Sequence, residues 1–539
     1  METTATGSPL RAGGREWLGL AVLALPTLLT SLDTSVLFLA LPHISADLDP
    51  SGTQQLWIVD IYALMIAGFL VTMGTLGDRI GRRLLLLIGA SLFAVASVLA
   101  AYSSSAEMLI ATRALLGIAG ATLMPSTLGL IRNMFQDPAQ RAVAIAAWMS
   151  TFMLGIAIGP LAGGALLDSF WWGSVFLLGV PVMLVLLLTG PLLLPEFRSD
   201  EAGRVDLGSV LLSLLTMMPI FYGIKELAAD GPGFLPLGAL VVGAVFGVLF
   251  VMRQNRLTSP LLDLSFFRNS TFSSALTVML IGSAVMGGIT LSISQFLQLV
   301  EGMSPMRAGL WLLPAAVSVI VSGMASVGLA QKLGAGNVIC GGLLFTVIGG
   351  VMLSQVDDSS GVGYVITCFS LVYFGIGPMS ALTTDIVVGS APAEKAGSAA
   401  STSETSTQLG VALGVACLGS VGSVVYSNEV EGAVPSDVLG DAAATANDSL
   451  AGAVTVAPQL PGDAGAALLE SARSAFVSGM GAVGVTIGVL VAAMVVLSAV
   501  KLRKGPSGGG DQPAGPAADD GEAPDAMAKA KPVPSSESI

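Results

Sequence analysis

Long apolar runs and short polar breaks alternate along nearly the whole chain. Runs of about 20 apolar residues, the length a helix needs to cross the hydrocarbon core, recur fourteen times. They fall near 17–41, 55–76, 84–103, 107–131, 142–166, 171–194, 206–226, 235–252, 273–300, 308–331, 336–355, 362–388, 396–425 and 476–500. Lipid gives the backbone no water to bond, so each run is predicted to be helical. Two longer polar stretches stand outside this pattern. Residues 427–473, rich in Ala, Gly and Asp, are expected to face outward and to carry a short amphipathic helix near 466–473. Residues 505–539, made of Gly, Pro, Ala and Ser with scattered acids, are too poor in apolar residues to fold and are expected to form a disordered cytoplasmic tail.

Composition agrees with the pattern. A mean hydropathy of +0.82, with 53% hydrophobic and 11% charged residues, does not describe a water-soluble chain of 539 residues, whose surface needs roughly twice that charge. The fold class expected is an all-α polytopic membrane protein. The net charge of −13 resides mostly in loops and the tail, so it says little about partners. Cys340, Cys368 and Cys417 lie in apolar runs without metal-ligand spacing and read as small buried hydrophobes. The single histidine, His43, leaves no His-rich metal site, and no metal is expected. The polar N-terminus up to Glu16 shows no short apolar core with a cleavage site, so no removable signal peptide is expected.

The basic residues set an orientation. With a cytoplasmic N-terminus, Arg11, Arg15, Arg79, Arg82, Arg83, Arg132, Arg141, Arg198, Arg204, Arg253, Arg256, Arg268, Lys332, Lys395, Lys501, Arg503, Lys504, Lys529 and Lys531 all fall inside. Only Arg113, Lys225, Arg307 and Arg473 remain for the membrane or the exterior. This asymmetry predicts an even number of spans, both termini in the cytoplasm and a multi-pass plasma-membrane location.

Between the second and third runs, Met73 to Leu87 reads MGTLGDRIGRRLLLL, one Asp and three Arg in a Gly-spaced turn. Such charges must sit at the lipid boundary or in a packed gate, because burying them unpaired in lipid costs several kcal/mol each. On the fifth run, GIAIGPLAGG places Gly155, Gly159 and Gly163 four apart on one helix face, followed by Gly164. Small residues at that spacing let helices pack backbone to backbone in lipid, and Pro160 frees a carbonyl and bends the helix. The first run carries LDTSVLFLALP, Leu32 to Pro42.

These three segments, in this order, resemble the major facilitator superfamily. GTLGDRIGRR is similar to its cytoplasmic signature loop, GIAIGPLAGG to the motif of its antiporters, and LDTSVLFLALP to the first-helix pattern of the fourteen-helix drug:proton antiporters. The motifs cover the first 165 residues, and the helix count covers the rest. The resemblance implies two six-helix bundles, residues 17–194 and 273–500, after a cytoplasmic segment 1–16, with two linker helices in 206–252. It also implies transport by rocking of the bundles, with a conformational gate at Gly74, Gly77, Asp78, Arg79, Gly81, Arg82 and Arg83. Asp78 is expected to pair with Arg79, Arg82 or Arg83, or with the neighbouring bundle. The repeat after the tenth helix, GLAQKLGAGN, has Gln331 where the acid would be, so the second-half latch is degenerate.

Ionisable residues inside spans are costly unless used or paired. Asp33 lies about 16 residues up the first helix, in the outer half of the bilayer at 1.5 Å per residue, and Arg113 on the fourth helix reaches a similar depth. They are expected to pair or to share one cavity. The segment Arg113 to Ala121 resembles the family's Arg-containing motif, with Leu116 in place of the usual Gln. Asp60 sits about a turn into the second helix and Glu404 about two turns into the thirteenth. A carboxylate whose proton affinity rises on desolvation suits proton coupling, and one in an apolar cavity attracts lipophilic cations, with Trp57, Tyr62 and Trp148 as stacking faces. Asp33 and Glu404 are the leading candidates. Gln295 and Gln298 on the ninth helix either line the cavity or join helices.

The chain has no GxxxxGK[ST] loop for nucleotide phosphate and no nucleophile or metal constellation, so an ion gradient is the expected drive and no enzyme activity or cofactor is expected. The function expected from the resemblance is proton-coupled antiport exporting amphipathic, often cationic drugs or antibiotics. The alternative is export of lipids or self-made secondary metabolites on the same fold. Expected partners are the small-molecule cargo, protons and the bilayer, with no nucleic acid and no obligate protein partner.

Overall fold

A computed structural model describes residues 12–198, 206–229, 231–257, 260, 262–357, 359–390, 396–431, 441–460 and 463–502. The expected tail 505–539, most of the expected N-terminal segment 1–16, and residues 432–440 of the polar loop lie outside these residues. Among the described residues, fourteen helices are long and apolar enough to cross a membrane. They comprise α1 (Gly14–Leu48), α2 (Gly52–Ile80), α3 (Arg82–Ala101), α4 (Ala106–Met134), α5 (Pro138–Ser169), a sixth span Ser174–Leu193 whose main part is α6 (Gly179–Leu193), α7 (Leu207–Ala229) and α8 (Phe234–Gln254). Then come α9 (Ser270–Gln295), α10 (Pro305–Leu333), α11 (Ala335–Leu353), α12 (Val362–Gly389), α13 (Ala396–Glu431) and α14 (Ala464–Lys501).

Local chemistry sets the helix starts. Ser51, Ser105 and Ser304 accept hydrogen bonds from Gln54 N, Met108 N and Arg307 N at the heads of α2, α4 and α10. Asp137 caps α5, where Pro138 occupies a first-turn position that lacks an amide partner anyway. The sixth span is broken: a one-turn helix, Ser174–Leu177, precedes α6. Pro181 has no N–H to give the carbonyl four residues back, so the ladder fails there. Most helices overrun their apolar cores, and α1 and α14 do so most. Residues 466–473, expected as a separate amphipathic helix, are instead the first turns of α14. The rest of the described loop forms two short helices, Asp441–Asp448 and Leu450–Val456.

The two groups of six helices repeat one pairing scheme. In the first, α1 packs on α5 and α6, α2 on α4, and α3 on α4 and α6. In the second, α9 packs on α13 and α14, α10 on α12, and α11 on α12 and α14. The groups meet along two seams, α2 against α13 and α5 against α10. Helix α7 lies against both α2 and α13, and α8 packs on α7.

Candidate functional site

The hydroxyls of α1 turn inward on their own helix. Thr30, Thr34 and Ser35 donate to the carbonyls of Pro26, Thr30 and Ser31, whereas Asp33 in the same stretch turns away from the helix. Arg113 of α4 meets it, with Nη1 2.9 Å from Asp33 Oδ2. The same guanidinium donates from Nε to Ile58 O at 3.1 Å and from Nη2 to Val59 O at 3.4 Å, and lies 4.8 Å from the Tyr62 ring centre. The Arg113 side chain is 1% exposed and that of Asp33 9%. One planar cation thus ties α1, α2 and α4 together, with each of its three nitrogens donating.

The next residue of α2 holds a second pair. Asp60 Oδ1 is 2.9 Å from Nζ of Lys225 on α7, with both side chains fully inaccessible. The ammonium also stands 3.8 Å from the Trp57 ring centre, a cation–π contact. Asp60 Oδ2 is buried without a hydrogen-bond partner. The sequence left Lys225 for the membrane or the exterior without a role or a partner. Trp57 and Tyr62, candidates for stacking on cargo, here face the protein's own cations.

Glu404 differs from both aspartates. It sits half-buried on a hydroxyl-rich stretch of α13 and accepts from Gln408 Nε2 of the same helix at 2.9 Å. Ser403 donates to Met279 Sδ, Ser406 to Leu276 O and Thr407 to Ser403 O, so these hydroxyls already have acceptors. Among the described residues, no ion pair involves Glu404.

The glutamines of α9 act at the junction of the two halves. The helix ends in a π-turn, Phe296–Val300, which presents Gln298 to α1. Its Nε2 donates to Leu39 O at 3.0 Å, and Ser294 Oγ donates to Phe38 O at 2.7 Å. Gln298 is helix-to-helix glue, one of the two roles its sequence position allowed. Gln295 lines a cavity of about 60 Å³ with Gln55, Ser292, Asp448 and Ser449. Nearby, Gly52 N donates to Asp448 and Gln55 Nε2 to Ser449 Oγ, which docks the short loop helices on the head of α2.

The Gly-rich face of α5 completes that junction. Added Cβ atoms at Gly155, Gly159 and Gly163 would strike Ser31, Ser35 and Val36 of α1, so this face seats α1. Gly164 instead faces the backbone of Met306, and Gly309 of α10 faces the carbonyl of Pro160. Asp168 accepts from Ser304 Oγ and Met306 N. These cross-half contacts all lie toward the end of the molecule that carries the α1–α2 turn.

The charged turn lies at the opposite end. Gly81 joins α2 to α3 at φ +116°, a left-handed conformation other residues resist. Asp78 pairs with Arg82 at 2.5 Å, and Arg82 Nη1 donates to Pro125 O at 2.7 Å across Gly129 of α4. Arg83 reaches Glu196, at 3.4 Å, and Leu194 O. Gly77 abuts Leu85, and Gly74 faces Pro125. All these partners belong to the first six helices or to the turn that follows them. Glu196 was missed in the sequence because it lies 113 residues beyond Arg83 in an ordinary post-helix turn.

The family model described as Major Facilitator Superfamily matches residues 23–415. The chain belongs to the major facilitator superfamily. Within this superfamily it is 44% identical over 506 residues to the multidrug efflux pump LfrA of Mycolicibacterium smegmatis, covering 94% of this chain and 100% of the relative. It is 34% identical over 467 residues to the methyl viologen resistance protein SmvA of Salmonella typhimurium, with 86% and 93% covered. It is 34% identical over 494 residues to the tetracenomycin C resistance and export protein of Streptomyces glaucescens, with 90% and 91% covered. Among solved structures, a bacterial homologue of the human lysosomal transporter Spinster, in an inward-facing and unoccupied conformation, superposes with a TM-score of 0.63 at 18% identity, covering 91% of this chain and 98% of that one. The peptide transporter POT in complex with sulfate gives 0.60 at 14%, covering 93% and 96%. These likenesses establish the major facilitator fold, to which the paired six-helix scheme and the charged α2–α3 turn belong.

Proposed function

We propose that this chain is a proton-driven exporter of amphipathic, cationic compounds across the plasma membrane, working by alternating access with both termini in the cytoplasm. The LfrA and SmvA relatives support the cargo class, and the cytoplasmic excess of Lys and Arg supports the orientation. In that orientation the α1–α2 end, where the halves are joined, faces outward, and the α2–α3 end admits cargo from the cytoplasm.

The observation that carries the mechanism is the contrast among three intramembrane carboxylates. Asp33 and Asp60 each hold a basic side chain, whereas among the described residues Glu404 is paired with the neutral Gln408. Glu404 is therefore the group that takes either a proton or a cargo cation from the open side, one excluding the other. Asp33 follows in the opposite conformation, when Arg113 lets go of it and external protons reach it. Exclusive occupancy of a shared carboxylate makes the exchange obligatory, and the proton gradient supplies its direction.

Everted membrane vesicles energised by respiration, and given a fluorescent lipophilic cation with and without an uncoupler, test this reading. Uncoupler-sensitive accumulation that disappears in Glu404→Gln is the expected result. Accumulation that persists undiminished in Glu404→Gln and Asp33→Asn removes the assignment. Export of self-made metabolites is a second reading, favoured by the Streptomyces glaucescens relative. Under it, an uncharged aromatic natural product competes with the dye and is itself accumulated.

A further inference from the structure

The linker helices present most of their surface to lipid, with Leu207, Leu211, Val241, Val245 and Val248 among the exposed residues. A purely connecting pair needs no buried charge, and yet α7 carries one. Lys225 is inaccessible, its Nζ fixed between Asp60 and the face of Trp57. Separating such a pair in an apolar surrounding strands two charges, so the contact resists sliding. The remainder of the α7 contact is of another kind. Phe221 packs among Ile61, Leu64 and Met65 of α2 and Ala412 and Ala416 of α13, and Leu214 covers Gly68 of α2. Toward α13 this is an apolar surface over alanines, and apolar surfaces exchange partners without leaving a charge exposed.

We propose that Lys225 is a tethered counter-cation that pins α7 to α2, so that the linker helix moves with the first half and covers the α2–α13 seam while the second half slides beneath it. Asp60 is then the socket of this clamp, and Lys225 is a positioning residue for transport. The other ionisable neighbours leave this arrangement intact. Arg113, which donates to the Ile58 and Val59 carbonyls beside Asp60, is engaged by Asp33, and Cys417 of α13 is a further titratable group near Asp60. The hairpin moves as one piece because Asp206 pairs with Arg253 and Gln254 donates to Ser209 across its base.

This inference rests on the exporter reading, and failure of that reading shows separately as absence of uncoupler-sensitive transport by the unmodified protein. The first test is charge replacement, read as initial efflux rate per folded molecule in everted vesicles. Lys225→Met is expected to lower the rate by about tenfold or more, because it leaves the carboxylate uncompensated. The double variant Asp60→Asn with Lys225→Met, which removes both charges, is expected to stay within about threefold of the unmodified protein. The clamp is overturned if Asp60→Asn abolishes uncoupler-sensitive transport and adding Lys225→Met fails to restore it, since Asp60 then does more than hold a lysine. The second test covers variants that fold poorly and uses a chain whose three cysteines are replaced. Joining positions 68 and 214 by a thiol cross-linker is expected to leave turnover intact, and joining 221 and 416 to stop it. The reverse outcome, or equal inhibition by both, overturns the assignment of the sliding face.

Discussion

Replacement of Arg113 by Met puts the charge network at its sharpest test. The side chain is 1% exposed and makes three hydrogen bonds, one to Asp33 and two to carbonyls of α2. Removing one member of a buried pair costs about 3–5 kcal/mol, because the other is left charged and unpaired. The two orphaned carbonyls add about 1 kcal/mol each where no water replaces the donor. Asp33→Asn combined with Arg113→Met removes both charges and recovers the larger part of that loss, so the double-mutant cycle should give a coupling of about 3 kcal/mol. With an unfolding entropy of about 2.1 cal/mol/K per residue, a loss of about 6 kcal/mol over a chain of this size lowers the unfolding midpoint by about 5 °C. Thermal unfolding of the purified protein in detergent measures it. A double variant that falls as far as the sum of the two single ones would show that Asp33 and Arg113 do not neutralise each other, and the mechanism built on their release would fail with them.

Other consequences are open to direct measurement. Glu404→Gln should leave the unfolding midpoint within about 1 °C, since its described partner is a neutral Gln408, while ending uncoupler-sensitive efflux; a large loss of stability would mark Glu404 as structural. Gly164→Val drives a side chain into the Met306 backbone, so it should disfavour closure of the α1–α2 end, and a cysteine placed at Ser294 should label faster from outside than in the parent. At the base of the linker hairpin, Arg253 bonds both carboxyl oxygens of Asp206, at 2.7 and 3.1 Å, and holds that carboxyl down at about 2. A depressed value means stabilisation present above the ordinary carboxylate range and lost as pH falls through about 2. Protease cutting after the hairpin base should therefore rise only in strong acid, and Arg253→Gln should move the rise toward pH 4.

Much of this architecture was readable in the chain because lipid enforces it. Hydrocarbon-length runs located all fourteen spans, and the Gly spacing of α5 foretold a backbone-close contact, although α1 as its partner had to be seen. Asp33 and Arg113 were matched from depth alone, since charges at one level in oil seek each other. Depth could not match Asp60 to Lys225. The lysine sits 165 residues away on a helix whose placement across the α2–α13 seam depends on packing that local pattern does not encode. The charged α2–α3 turn was recognised, but its partner Glu196 was not, for the same reason. Residues 466–473 looked amphipathic because α14 begins there against the loop helices before entering its apolar span, and periodicity does not distinguish a separate helix from an early start.

The exposed flank of α8 gives the molecule a ruler. At 1.5 Å per residue, its 21 residues span about 31 Å, close to the thickness of a common bilayer interior. In membranes with shorter acyl chains the hairpin must tilt, and because α7 is fastened to α2 through Lys225 and Asp60, that tilt is delivered to a helix on the rocking seam. Turnover should then follow the acyl-chain length of the surrounding lipid, and cutting the fastening should make it indifferent.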